Sequence, residues 1–177
     1  MQSVQIELIM SKKSKLSRSS EGSTNFIGLD VKRSIKLAEQ LNELLAAYQL
    51  FYMNVRGYHW NIRGDKFFEL HLKFEELYTD LLVKIDEVAE RILTLGCTPL
   101  HTYSDYLNQS GIEETSNISD PQSAVTNVLN MFSRILILQR KILQLSADAG
   151  DEGTNALMSD YIKAQEKLVW MYSSFLG

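Results

Sequence analysis

The amino-acid sequence predicts an all-α protein, a four-helix bundle with one long crossover, on three observations. Helix-forming Leu, Ala, Glu, Lys and Gln fill the stretches between only nine glycines and two prolines in 177 residues. Apolar residues recur at three- and four-residue spacing over four long windows. The connections between those windows run short, long, short, the order of two helical hairpins joined in series. With 45% apolar residues the chain has enough surface for one packed core and reads as one domain.

Residues 1–27 hold seven serines and the cluster Lys12, Lys13, Lys15 and Arg18 without periodic apolar positions, so they read as a flexible basic arm ahead of a domain spanning 28–177. From about Asp30, Leu37, Leu41, Leu44, Leu45, Tyr48, Tyr52 and Val55 mark one face of a helix ending near Trp60. A short turn at Asn61–Gly64 makes the next helix its antiparallel neighbour. That helix carries Phe67, Leu70, Phe74, Leu77, Leu81, Ile85, Val88 and Ile92, and stops at Gly96. Residues 97–118 are longer than a bundle turn needs and hold a short helix at Tyr103–Asn108. Ser119-Asp-Pro-Gln122 has the capping residue and first-turn proline of a helix start. The third long helix follows through Val125, Val128, Phe132, Ile135 and Ile142, breaks at 148–154, and the fourth takes Leu157, Met158, Tyr161, Leu168 and Tyr172. Two hairpins with a long crossover describe a ferritin-like bundle.

Charge and cysteine content narrow the chemistry. The net charge of −4 offers no general attraction to a phosphate backbone. Cys97 is the only cysteine, which excludes an intrachain disulfide and a four-thiolate metal site, and a reducing cytoplasm fits best. No apolar run reaches the roughly 18 residues of a membrane span. The mildly apolar first ten residues precede the basic SKKSKLSR, the reverse of a secretory signal, and Met10 offers a second translation start.

Two of the three histidines, His59 and His71, flank the first turn, and Glu75 shares a helix face with His71. Asp86 and Glu90 form a second i, i+4 pair on the same helix. Imidazoles with carboxylates suit iron, zinc or manganese. Read alone, these acids are also a solvated helix face partly matched by Lys73, Lys84 and Arg91. A di-iron site within one chain lacks its usual donors, because the sequence contains no Glu-x-x-His pair. His71 and Asp86 lie about 22 Å apart along a helix at 1.5 Å per residue and cannot share a metal in one chain. Two antiparallel copies about a two-fold near residues 80 and 81 bring position 71 level with 90 and position 75 level with 86.

His59-Trp-Asn-Ile-Arg-Gly64, with Leu70-His71 and Glu75, and Ile85-Asp86-Glu-Val-Ala-Glu90-Arg91 through Gly96 to Pro99 together resemble both signatures of the Dps family of miniferritins. The motifs span 41 residues, and the bundle pattern extends the likeness from about Asp30 to the end. The resemblance implies a dodecameric hollow shell whose intersubunit ferroxidase sites each hold two iron positions. Its ligands would be His59, His71 and Glu75 of one chain with Asp86 and Glu90 of the neighbour. Glu75 stands where the family usually has Asp. Trp60 resembles the family tryptophan beside the site, with packing and capture of oxidising equivalents as its two readings. Asp148, Asp151 and Glu152 fall where relatives line iron-entry pores, although acids there also cap a helix. Cys97 and His101 receive no role.

The function so implied is oxidation of Fe(II) by hydrogen peroxide and storage of ferric oxyhydroxide, protecting a cytoplasm from oxidative damage, with zinc able to replace iron at the same ligands. The alternative is a nucleoid-associated protein that compacts DNA through its arms. The first 27 residues carry a net +2 and the remainder −6, so only multivalent arms offer DNA a basic surface.

Overall fold

The computed structural model describes residues 23–177, so the basic cluster Lys12, Lys13, Lys15 and Arg18 lies outside the described residues. Five helices follow one another, α1 (Val31–Asn61), α2 (Phe67–Thr94), α3 (Tyr103–Gln109), α4 (Pro121–Ala149) and α5 (Glu152–Leu176). The chain is all-helical, as its sequence pattern predicts, and its only β pairing among the described residues is an isolated bridge between Thr24 and Asp30. Among the described residues, no helix is long and apolar enough to cross a membrane.

Side chains that accept orphan N–H groups set the helix starts. Asp30 accepts from Arg33 N–H, Asp120 from Ser123 N–H with Pro121 in the first turn, and Asp151 from Thr154 N–H. Gly150 ends α4 at φ 68°, a left-handed conformation that costs glycine nothing sterically, and α5 starts two residues later. Residues 23–27, compositionally part of the arm, form a turn here. The Asn25 side chain accepts from the N–H groups of Ile27 and Leu29 and donates to the carbonyl of Leu95.

α1 pairs with α2, α4 with α5, and α1 also packs on α4. Leu41, Leu44, Phe51, Phe74, Leu81, Val88, Phe132, Ile135, Ile142 and Met158 are fully buried between the helices. Such a side chain contributes about 1.5–3 kcal/mol on burial. Polar side chains of α1 hold the crossover. Asn42 grips Thr98 C=O and Leu100 N–H, while Asn54 donates to Glu113 C=O and accepts from Thr115 N–H. With α3 packed on α1, the crossover is thereby fixed to the outside of the bundle.

The middle of the bundle is polar. Tyr48 is bonded by the amides of Gln139 and Gln165, and burial pushes its hydroxyl well above the ordinary phenol range. Tyr161 donates to Glu87, and its hydroxyl is likewise pushed up, first by burial and then by that carboxylate. Tyr48, Gln139 and Gln165 bond one another there, and no group of three metal donors among the described residues includes Glu87.

Candidate metal centre

α1 ends at Asn61 and α2 starts at Phe67, and the reversal between them uses Gly64 at φ 100° with Phe67 N–H donating to its carbonyl. This tight reversal sets the last turn of α1 beside the first turns of α2. His59 thereby faces His71. The His59 carbonyl is one of the last in α1 and has no helical N–H to accept.

Each histidine satisfies the other's backbone. His59 Nδ1 lies 2.8 Å from the carbonyl of His71, and His71 Nδ1 lies 2.9 Å from the carbonyl of His59. A carbonyl only accepts, so each Nδ1 carries the proton and each Nε2 keeps its lone pair for a metal. The rings stack with centroids 3.8 Å apart and planes 21° from parallel. Phe67 stacks on His71 at 5.0 Å, and Tyr78 meets His59 edge-on at 5.3 Å. His59 is buried, His71 half-buried and Glu75 exposed.

The ligand atoms of His59, His71 and Glu75 lie within 4.8 Å of one another, the only such group of metal donors among the described residues. Nearly parallel imidazoles do not converge on one ion. Their lone pairs lie in two nearly parallel ring planes 3.8 Å apart at the centroids, which suits two metals about 3.5–4 Å apart better than one. Two nitrogens and one carboxylate leave such a pair short of ligands.

Asp86 and Glu90 lie further along α2, exposed, and join no metal-binding group of their own chain. Of the three acids near the α4–α5 break, Asp151 is buried and fully used. It caps Thr154 and pairs with Arg91 at 2.5 Å, so its carboxylate faces the protein and not a channel. Asp148 and Glu152 are exposed, Asp148 accepting from Gln144. Trp60 is 58% exposed and carries the Arg56 guanidinium 4.6 Å above its ring. Cys97 is half-buried against the core, and exposed His101 bonds the carbonyl of Pro99.

Phe67, Tyr78 and the paired backbone carbonyls are parts of the centre that sequence reading missed. Tyr78 stands seven residues beyond His71, two turns along the same face, so periodicity carried a signal for it. The reciprocal carbonyl bonds had none, because they depend on how two helix ends meet.

Comparison with known proteins gives concordant results. A family model for the ferritin-like domain matches residues 38–177. The DNA protection during starvation protein of Porphyromonas gingivalis is 43% identical over 148 residues, covering 84% of this chain and 93% of that protein. The Dps protein of Vibrio cholerae O1, described as a member of a broad superfamily of ferritin-like diiron-carboxylate proteins, matches with TM-score 0.87 and 57% identity. It covers 90% of this chain and 100% of its own. A Dps protein from Bacillus brevis matches with TM-score 0.80 and 32% identity, covering 82% of this chain and 98% of its own.

Proposed function

The chain belongs to the Dps family of ferritin-like proteins, and on that premise we propose that it oxidises Fe(II) with hydrogen peroxide at sites shared between two-fold-related subunits. The ferric product is stored inside a twelve-subunit shell. The observation that carries this reading is the histidine pair, locked through Nδ1 and stacked at 3.8 Å, which leaves both Nε2 atoms for metal.

The missing ligands come from a neighbour. Exposed apolar residues on α2 support this, because Phe68, Leu72, Leu82, Val83 and Leu93 are all more than half exposed. About a two-fold at residues 80 and 81, Phe68 falls opposite Leu93, and Leu72, Leu82 and Val83 fall opposite Ala89, Thr79 and Tyr78. An antiparallel copy of α2 sets Phe68 against Leu93 and Val83 against Tyr78, burying the apolar stripe. The same operation brings Asp86 and Glu90 of the neighbour to Glu75 and His71. Each site then has two imidazoles and three carboxylates for two irons.

Ionised carboxylates and neutral imidazoles favour Fe(III), which lowers the cost of electron loss. Two Fe(II) supply two electrons. Peroxide takes both with two protons and leaves as two waters, so no hydroxyl radical is released. Iron and peroxide are removed together, which protects DNA without requiring contact with it. Trp60 packs at the edge of the site, and exposed Asp148 and Glu152 are the acids open to an entry channel. Zinc competes for the same ligands.

Anaerobic addition of Fe(II) followed by peroxide tests the reaction. Ferric absorbance should grow far faster than in protein-free buffer and faster than with O₂, with two irons oxidised per peroxide consumed. Growth no faster than in buffer overturns the activity, and a clear preference for O₂ overturns the choice of oxidant.

A further inference from the structure

Arg56 sits on α1 one turn before Trp60, its guanidinium carbon 4.6 Å from the Trp60 ring centre and 5.4 Å from that of Tyr52. Its Nη1 also donates to the Tyr52 hydroxyl at 3.3 Å. Two rings and one hydroxyl hold the group in place. Yet no carboxylate of the described residues is within salt-bridge distance of it, whereas Arg91, Arg134 and Arg140 each have one. A positioned guanidinium without a counter-ion among the described residues, beside the candidate metal centre, is available to a neighbouring subunit.

The helix register says what. His59 stacks on His71 and Tyr52 meets Tyr78, which fixes how α1 runs antiparallel to α2 and places Arg56 level with Phe74. The two-fold that sets position 75 against 86 sets position 74 against 87. Arg56 therefore comes level with Asp86 and Glu87 of the neighbour. Glu87 is already engaged by the Tyr161 hydroxyl of its own chain, and Glu90 lies a full turn away at the level of His71. Asp86 is exposed and belongs to no metal-donor group among the described residues.

We propose that Arg56 is an intersubunit positioning residue, pairing with the Asp86 carboxylate of the two-fold neighbour and holding it at the metal position before iron arrives. The inference rests on the shared-site reading above. Tyr52 and Trp60 supply a fixed perch for the guanidinium, and its charge turns the Asp86 carboxylate of the neighbour toward the centre. A metal entering the site displaces the arginine, which then stays on its two rings. The ion pair thus stabilises the empty interface and competes with the metal for one ligand.

Opposite signs in two measurements test this, with Co(II) as the metal and its visible absorbance as readout. Shells of the Arg56→Gln variant should bind Co(II) roughly two- to five-fold more tightly than wild type at low salt, the range of a single exposed ion pair. The difference should fade toward 1 M salt, where screening acts within about 3 Å. Empty Arg56→Gln shells should dissociate at lower urea than wild type, while Co(II)-loaded shells should not differ. Arg56→Lys, which keeps the charge, should stay near wild type in both. Unchanged or weaker Co(II) binding by Arg56→Gln, or equal stability of the empty shells, overturns the proposal. The site itself is tested separately, because a His71→Ala shell that binds Co(II) like wild type overturns the shared-site reading instead.

Discussion

At the scale of single residues, the proposed centre leaves little to be arranged when metal arrives. The two Nδ1–carbonyl bonds settle tautomer and ring orientation together, the role that outer groups commonly serve at metal sites. Glu75 is the adaptable member, exposed and one methylene longer than aspartate, with its carboxylate within 4.8 Å of both imidazole nitrogens. Removing its charge should therefore matter more than shortening it. Glu75→Gln is expected to weaken Co(II) binding by about 10–100-fold, and Glu75→Asp should remain within a few-fold of wild type. Titration of the visible spectrum measures both, and equal losses in the two variants would show that reach outweighs charge.

Helix ends decide what the elements can do. Arg91 follows the proposed ligand Glu90 on α2 and binds both Asp151 and Thr154 at the start of α5, packing so closely on Gly153 that an added Cβ would sit 3.0 Å from the guanidinium. The carboxylate of that pair is buried and the Arg91 side chain only 18% exposed, so losing the carboxylate strands a largely enclosed charge. Asp151→Ala should cost about 3–5 kcal/mol, read as a lower midpoint in urea; a loss below about 1 kcal/mol would show that the pair is dispensable. Asp120 gives a contrasting, titratable case at the start of α4. The N–H and hydroxyl of Ser123 hold its carboxyl below the ordinary 3.8. A depressed folded-state pKa means the cap contributes above 3.8 and is lost as pH falls through the lower folded value. Wild type should thus exceed Asp120→Asn in stability by a constant margin above about pH 5 and converge with it in stronger acid. A margin that persists at pH 2 would assign the difference to something other than this carboxylate.

On the scale of the whole molecule, the question is whether one chain can make a site. His71→Ala and Asp86→Ala subunits should each assemble into shells with little ferroxidase activity. Equal random mixing should then restore about a quarter of wild-type activity, since each of the two contributing chains must independently be the right type. Mixed shells at the inactive baseline, with assembly verified by light scattering, would mean that the ligands do not come from two chains. The assembled mass should be about twelve times the 20.2 kDa chain, and a stable monomer would contradict the shell and the shared site alike.

How much of this was written in the chain differs by level. Periodicity, Ser119-Asp-Pro-Gln122 and the glycines near 96 and 150 were enough for four long helices, the short helix in the crossover and their order, because those signals are local and act through the backbone of the same few residues. The candidate ligands were legible as residue types at helical spacing, and the family motifs selected them from among other surface acids. Only the tertiary structure decided that the two imidazoles stack instead of converging, since that follows from how the end of α1 meets the start of α2. It likewise decided that Asp151 turns inward to Arg91 while Asp148 and Glu152 remain exposed, a choice made by a partner 60 residues away that no local pattern specifies. Sequence alone determined which elements and donors exist; packing determined which way each donor points, because side-chain direction is set by neighbours that only the folded chain brings together.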